Sequence, residues 1–256
     1  MSWEFKFEGK TAISTGAASG MGLLFAQNFA SLGGNIVLCD VNEQVLNEKV
    51  AEINAKGKGK AIGLICDVRD YKQVCAVRDK TVEMFGLIDI IANFAGGTAR
   101  RMLNVGWEQE FPDVPIEVFD WGLDVNLKGP FYFAHAVLSQ MRKQKGGLII
   151  NIGSITGAEG DGNGMDYSTS KAGIMYGLTK SIAQYGSRYG IRAVCVSPGP
   201  VLTRAAMANM KTLLGRAAEP QEIVDLCLFL ASEKGQFING ENIMIDGGRN
   251  AMSRCN

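Results

Sequence analysis

Two Tyr-x-x-x-Lys patterns lie within fourteen residues of each other, Tyr167 with Lys171 and Tyr176 with Lys180. A tyrosine one helical turn before a lysine is a candidate acid–base pair. A free phenol titrates at about 10, too high for an efficient base at neutral pH, and a neighbouring ammonium favours the phenolate. Residues four apart share a helix face, so each pair is locally sound. The pairs themselves are nine positions apart. At about 100° per residue that is half a turn, so both cannot face one site. Upstream context separates them. Ser154, in "NIGSITG", lies thirteen positions before Tyr167 at the carboxyl end of an apolar run, whereas Asn163, inside "DGNG", lies thirteen before Tyr176. Tyr167 and Lys171 are the candidate catalytic pair, with Ser154 placed to hydrogen-bond and position a reacting oxygen. Tyr176 and Lys180 are expected to pack on the opposite face or to meet another subunit.

Other chemistries find little support. His135 is the only histidine and sits in the helical-period segment "YFAHAVLSQM", so a Ser-His-Asp triad or a multi-imidazole zinc site is not expected. No metal site is predicted. The six cysteines (Cys39, Cys66, Cys75, Cys195, Cys227 and Cys255) have no Cys-x-x-Cys spacing and read as free thiols of a reducing cytoplasm. Twenty-six basic and twenty-six acidic residues give no net charge, which disfavours nucleic-acid and membrane-surface partners. Basic clusters such as "ARR" at 99–101 read as solvated loop charges. The opening "MSWEFKFEGK" mixes acids with apolar residues and does not read as a signal peptide, and no apolar run is long enough to span a bilayer.

The elements that must position these residues alternate. Strands are expected at 11–15, 35–40, 60–68, 87–96, 147–154, 191–199 and 242–248, with a helical pattern in each gap. "MGLLFAQNFASLGG" ends on two glycines suited to a left-handed helix terminus, and Pro220 suits a first helical turn. Apolar strands joined by helices imply an α/β fold in one domain, 1–256: a doubly wound parallel sheet of about seven strands with helices on both faces. Ligands then bind at the carboxyl ends of the strands.

After the first strand comes "TGAASGMG", with glycines at Gly16, Gly20 and Gly22. Glycine permits the turn and the close backbone approach, and the next helix aims its first N–H groups at a diphosphate; Ser19 and Met21 lie in the same loop. The second strand ends in Asp40, eighteen positions after Gly22, where a carboxylate can accept from both adenosine ribose hydroxyls and would repel a 2′-phosphate. The alternative is that Asp40 merely caps the helix beginning near Asn42. With Val41 and Ser19 as neighbours rather than Arg or Lys, NAD is preferred over NADP.

The glycine pattern, "CDV", "NFAG" and "YSTSK" together resemble the short-chain dehydrogenase/reductase family, from about Gly9 to Gly248. The resemblance implies a Rossmann-type fold. It also implies that Asp67 and Val68 cradle the adenine, that Asn93, Ala95 and Gly96 line the cofactor, and that Tyr167 and Lys171 touch it, Lys171 at the nicotinamide ribose. Asn126, in "DVNLKGPF", takes the place of an asparagine that interrupts the long helix and holds a proton-relay water. Pro198 and Gly199 form a bend, and Val201 and Thr203 become contacts for the nicotinamide carboxamide. One departure is Phe94, where the family usually repeats asparagine. A homotetramer joined through the long helices and the C-terminal strand is implied as well.

The expectation is an NAD(H)-dependent oxidoreductase interconverting a secondary alcohol and a ketone. Alternatives are a 3-oxoacyl- or hydroxysteroid-type reductase of the same family, a non-catalytic NAD sensor on this fold, or an epimerase-like enzyme, which usually carries a further C-terminal domain. Substrate loops are expected near 97–119, 155–166 and 201–214. About sixteen residues separate Thr203 from Pro220, fewer than in many relatives. This short lid, facing the polar "AEGDGNGMD", predicts an open pocket of mixed polarity, with a sugar or polyol slightly ahead of a steroid; otherwise the segment folds tighter or a neighbouring subunit covers it.

Overall fold

The computed structural model describes residues 5–56 and 58–252, so Cys255 lies outside the described residues. The strands are β1 (Thr11–Thr15), β2 (Asn35–Asp40), β3 (Ala61–Ile65), β4 (Ile90–Asn93), β5 (Gly147–Ile152), β6 (Ile191–Pro198) and β7 (Asn242–Ile245). They form one all-parallel sheet in the order β3-β2-β1-β4-β5-β6-β7. The chain reverses its winding direction between β1 and β4, which opens a crevice at their carboxyl ends.

Strand side chains alternate between two cores, as a period of two requires. Ala12, Ile36, Leu38, Leu148 and Ile150 join the core beneath α1 (Gly20–Ser31), α2 (Glu43–Ala55) and, toward the C-terminus, a helix at Pro220–Ala231. Ile13, Val37, Ile91 and Ile149 face the other core, with α3 (Tyr71–Phe85) and the long helices that follow. Both faces are therefore sealed, which explains the nearly continuous apolar strands.

Helix ends follow the local chemistry. Gly33 after α1 has φ +91, as the paired glycines suggested. Asn42 itself caps α2, accepting from Val45 N at 3.2 Å. Five of the seven strands are shorter than the sequence pattern suggests, β3 and β4 by the most. The chain leaves β3 after Ile65 so that Asp70 can cap α3, and the 87–96 run narrows to β4 because Asp89 spends its carboxylate on Thr11 N (2.8 Å) and Lys10 Nζ (3.0 Å).

After β4 come the short α4 (Ala99–Met102) and α5 (Ile116–Leu123). A π turn at Asp124–Lys128 then leads into α6 (Gly129–Gln144). Past β5 the pattern repeats: α7 (Thr156–Glu159) and α8 (Met165–Ala172), a π turn at Gly173–Leu178, and α9 (Thr179–Gly186). The helix at Pro220–Ala231 is α10, with the capping box Glu219/Glu222 at its start and Pro220 in the first turn.

A buried polar chain ties sheet to helix. Asn93 Nδ2 donates to Asn151 Oδ1 (2.9 Å), Asn151 Nδ2 to Thr179 Oγ1 (3.0 Å), and Thr179 Oγ1 to Ile174 O (2.8 Å) across the second π turn. Asn151→Ala would strand the Asn93 amide and open a small void. A loss of about 2–3 kcal/mol is expected. Thermal unfolding should read it as a fall of about 5–8 °C in Tm, with Asn163→Ala in the exposed loop as the unchanged control.

Candidate active site

The glycine loop sits over the β1/β4 crevice. Gly16 (φ +62) and Gly20 (φ +58) take backbone conformations that other residues resist. A Cβ on Gly16 would lie 2.9 Å from Ala95 Cα, and one on Gly22 would lie 2.6 Å from Gly16 O. Gly20 faces open space instead, leaving room beside the loop. Met21 follows it and packs partly against the core. Ser19 stands at the N-terminus of α1, its side chain makes no capping bond, and the first turn carries no acid. The loop and helix start therefore fit a diphosphate: bare N–H groups, no repelling carboxylate and space for close approach.

Asp40 is tied to this loop. Its Oδ2 accepts from Ala18 N (3.0 Å) and its Oδ1 from Asn42 N (3.1 Å). Because Asn42 supplies the α2 cap itself, capping does not account for Asp40. The next residue, Val41, is exposed. Past β3, Asp67 is forked by Arg69 (Nε 3.0 Å, Nη2 2.6 Å), and that guanidinium holds its carboxyl below the usual carboxylate range. Val68 is buried against Gly129. Phe94, the position of family departure, turns into the core and packs on Phe25 at 5.6 Å between ring centroids. Its ring is thus kept off the crevice, while Ala95 N donates to Thr15 Oγ1 (3.0 Å).

The four candidate catalytic side chains come from three places: Tyr167 and Lys171 on α8, Ser154 just past β5 and Asn126 in the first π turn. Lys171, only 4% exposed, donates from Nζ to Ile152 O at 2.8 Å. The same ammonium lies 5.4 Å from the centroid of the Tyr167 ring. Among the described residues it has no ion-pair partner. Ser154, just past β5, is buried; its Oγ donates to Thr156 Oγ1 (3.2 Å) and accepts from Thr156 N (3.2 Å). Asn126 is fully buried in the first π turn, so the helix is interrupted there. Its Nδ2 donates to Gly97 O and Gly122 O, its Oδ1 accepts from Gly97 N, all at 2.9 Å. A Cβ on Gly96 would lie 2.7 Å from Asn126 Oδ1 and 3.5 Å from Lys171 Nζ, so these groups meet at the end of β4.

Tyr176 is 53% exposed and Lys180 is exposed too, so the second pair faces away from this centre. The π turn between the two tyrosines winds by fewer degrees per residue than an α-helix. They are therefore less than the half turn apart that a uniform helix gives, yet still on different faces.

At the far side Pro198 ends β6, and Gly199 N donates to Ile245 O (3.0 Å). Val201 bridges to Ala218, and Thr203 N bonds back to Val201 O (2.7 Å). The short lid segment is strapped to the chain after β7. Leu214 N donates to Gly247 O (3.0 Å), Thr212 and Leu213 pack on Gly247 and Gly248, and Arg249 forks onto Glu159 (Nε 3.0 Å, Nη2 3.0 Å). These contacts tie the segment down at 212–214, while Leu213 and Leu214 remain exposed.

One sequence expectation is overturned. In the "ARR" cluster Arg101 is exposed as expected, but Arg100 is only 2% exposed, its Nη1 donating to Gly106 O and Gln109 O at 2.9 Å each. Asp166, beside Tyr167, is also buried, and burial pushes its carboxyl up. Neither carries a pattern that separates it from a surface charge. The described cysteines are buried or half-buried; burial pushes the Cys195 thiol up to about 11 and Cys66 to about 12, which keeps both protonated. His135 bonds Tyr71 Oη at 2.5 Å, away from the crevice. Among the described residues no group of three or more His, Cys, Asp or Glu could hold a metal, and no helix is long and apolar enough to cross a membrane.

A family described as enoyl-(acyl carrier protein) reductase matches residues 16–250. The chain is 34% identical over 254 residues to the 7alpha-hydroxysteroid dehydrogenase of Bacteroides fragilis, covering 95% of each chain. It is 38% identical over 251 residues to the trans-4-hydroxycyclohexanecarboxylate dehydrogenase of Sinomonas cyclohexanicum, covering 94% of this chain and 93% of that one. To the 3-oxoacyl-(acyl-carrier-protein) reductase FabG of Thermotoga maritima it is 34% identical over 255 residues, covering 95% and 98%. Matched from the glycine loop to the turn past β7, the chain belongs to the short-chain dehydrogenase/reductase family, oxidoreductases that use a nicotinamide cofactor and act on CH–OH groups.

Proposed function

We propose that the protein is an NAD(H)-dependent oxidoreductase that interconverts a cyclic secondary alcohol and its ketone, with Tyr167, Lys171, Ser154 and Asn126 as the working set. The observation that carries this is the Lys171 ammonium, buried, held by one carbonyl and set beside the Tyr167 ring. A buried charge without a counter-ion costs stability, and a protein that only sensed a dinucleotide would have no need of it.

The bound nicotinamide would accept or deliver the hydride. Tyr167 takes the proton from the alcohol oxygen, or returns one to the carbonyl oxygen. Lys171, set beside the Tyr167 ring, would hold the cofactor ribose. Ser154 hydrogen-bonds the reacting oxygen and orients it. Asn126 spends its side chain on Gly97 and Gly122, so any water it holds for the relay falls to its main-chain carbonyl. Gly16, Ser19, Gly20, Met21 and Gly22 would hold the diphosphate and Asp40 the adenosine ribose. Asp67 and Val68 would border the adenine, Asn93, Ala95 and Gly96 the cofactor's length, and Pro198, Gly199, Val201 and Thr203 its carboxamide.

For the substrate, the segments that leave the carboxyl ends of β4 and β6 expose Met102, Leu103, Trp107, Phe111, Leu202 and Leu214. A rim of this kind favours an apolar ring over a polyol, because burial of apolar surface stabilises binding by roughly 25 cal/mol per Å². Two relatives named for ring-bearing alcohols support the same choice. A homotetramer fits the exposed Phe131 on α6 and Tyr185 on α9, and size-exclusion with light scattering measures it directly.

Tyr167→Phe is expected to keep the fold and NADH binding while turnover falls by about a hundredfold or more. Tyr176→Phe should stay active, and the reverse outcome would overturn the assignment. NADH formation across cyclohexanol, hydroxysteroids and polyols is the measurement, with rings expected ahead of polyols.

Cofactor choice gives a second test. The native protein should use NAD in preference to NADP. Asp40→Ala with Val41→Arg removes the repelling carboxylate and adds a charge-assisted bond, and should move the NADP-to-NAD ratio of kcat/KM by about tenfold or more. Equal use of both cofactors by the native chain would mean that Asp40 does not read the ribose.

A further inference from the structure

Arg249, just past β7, reaches two distant segments with one side chain. Its guanidinium forks onto Glu159, Nε lying 3.0 Å from Oε1 and Nη2 3.0 Å from Oε2, while Nη1 donates to Lys211 O at 3.3 Å. Each partner of the ion pair is only 24% exposed, which makes it the most shielded ion pair among the described residues. A forked, half-buried pair of this kind contributes more than an exposed one, because two aligned bonds share the cost of ordering the side chains.

What the guanidinium joins is informative. Glu159 ends α7, which begins two residues after Ser154. That helix packs on the one carrying Tyr167 and Lys171: a Cβ on Gly157 would lie 2.6 Å from Met175 Sδ and 2.9 Å from the Lys171 carbonyl carbon. Lys211 belongs to the lid segment that leaves β6 through Leu202 and Thr203. This segment has little packing of its own, since from 202 to 211 only Met207 and Met210 are half-buried and the rest is exposed. Beside its next residues lies a cavity of about 80 Å³, lined among others by Pro200, Thr212, Leu214, Ile245 and Gly247. A segment exposed on one side with a void on the other depends on its polar ties, and Arg249 is the residue that joins it to α7.

We propose that Arg249 is a positioning residue that clasps the lid to α7, the segment continuous with Ser154, and so sets how tightly substrate is held. It does not touch the reacting atoms; it acts through the two segments. Arginine suits the task because its planar fork takes both carboxylate oxygens and keeps an N–H for the Lys211 carbonyl, in fixed directions that an ammonium lacks. The proposal rests on the oxidoreductase reading for its kinetic consequence, but not for its structural one.

The test is a double-mutant cycle on the full chain with Arg249→Met, Glu159→Gln and the pair, joined by Arg249→Lys as the conservative variant. Hydrogen exchange of the 205–215 amides is measured without substrate or cofactor, alongside Tm and KM and kcat for cyclohexanol with NAD. Arg249→Met keeps the stem and loses the fork, and should speed exchange in 205–215 by about tenfold. Glu159→Gln should do so by less, and the double should be no faster than Arg249→Met, because coupled partners are lost together. Arg249→Lys should fall between the native chain and Arg249→Met. KM should rise by about tenfold in Arg249→Met while kcat falls by a smaller factor. Native exchange in Arg249→Met would overturn the clasp, and so would effects that multiply in the double variant. Faster exchange spread evenly over the strands with a lowered Tm would count against it equally, since Arg249 would then serve general stability. A loosened lid with a native KM would refute its hold on substrate. If the native chain does not oxidise cyclohexanol, the substrate reading fails by itself, and the exchange cycle still decides the clasp.

Discussion

The single hydrogen bond from Lys171 Nζ to Ile152 O organises the candidate catalytic end of the molecule. Burial takes this ammonium out of water, and a fixed carbonyl dipole stands in for a hydration partner. The carbonyl that receives it belongs to the last residue of β5, so the sheet edge itself fixes the charge. Ser154 follows two residues on, and Asn151, one residue before, anchors the neighbouring helix through Thr179. A few residues at the end of one strand thus place the lysine, the serine and the helix that carries the tyrosine. The lysine and the tyrosine sit on a helix and the serine directly after a strand end, which suits chemistry that depends on sub-ångström alignment.

The cofactor end is built on different physics. There the backbone does the work, through glycine conformations and unpaired helix N–H groups, and a single carboxylate at the end of β2 closes the loop from the side. The two ends meet only where Gly96 passes Asn126 and Lys171. Phe94 makes this junction possible in its own way: the ring that replaces the family's usual asparagine is packed against Phe25, so the main chain beside it keeps the course that Ala95 and Gly96 need.

Much of this was legible in the sequence because it follows from local rules. Seven apolar runs, glycines at fixed offsets, a strand-terminal aspartate and a serine at a strand end thirteen positions before one tyrosine each state a backbone requirement or a period. The strand ends were less legible, since Asp70 and Asp89 stop β3 and β4 by side-chain bonds to distant or later residues. Arg100 and Asp166 were not legible at all. Their burial comes from contacts across the chain, Arg100 with Gly106 and Gln109 and Asp166 with Gly122, and residue type alone marks both as surface groups. The strap from Arg249 to Glu159 was hidden for the same reason, spanning ninety positions.

The two π turns give the helical side of the site its shape. One holds Asn126, the other begins two residues after Lys171, and each breaks the α pattern inside what would otherwise be a continuous long helix. A π turn leaves backbone groups without their usual partners and shifts the phase of everything beyond it. At the second turn Ile174 O, five residues back, accepts from both the Thr179 N–H and the Thr179 Oγ1, which pins the irregular winding twice. The same hydroxyl receives Asn151, which links the irregular turn to the strand that anchors Lys171. Phase shift and anchor are therefore one construction. Lys171 faces inward just before the turn and Tyr176 faces outward within it, and the sheet holds that turn through Thr179.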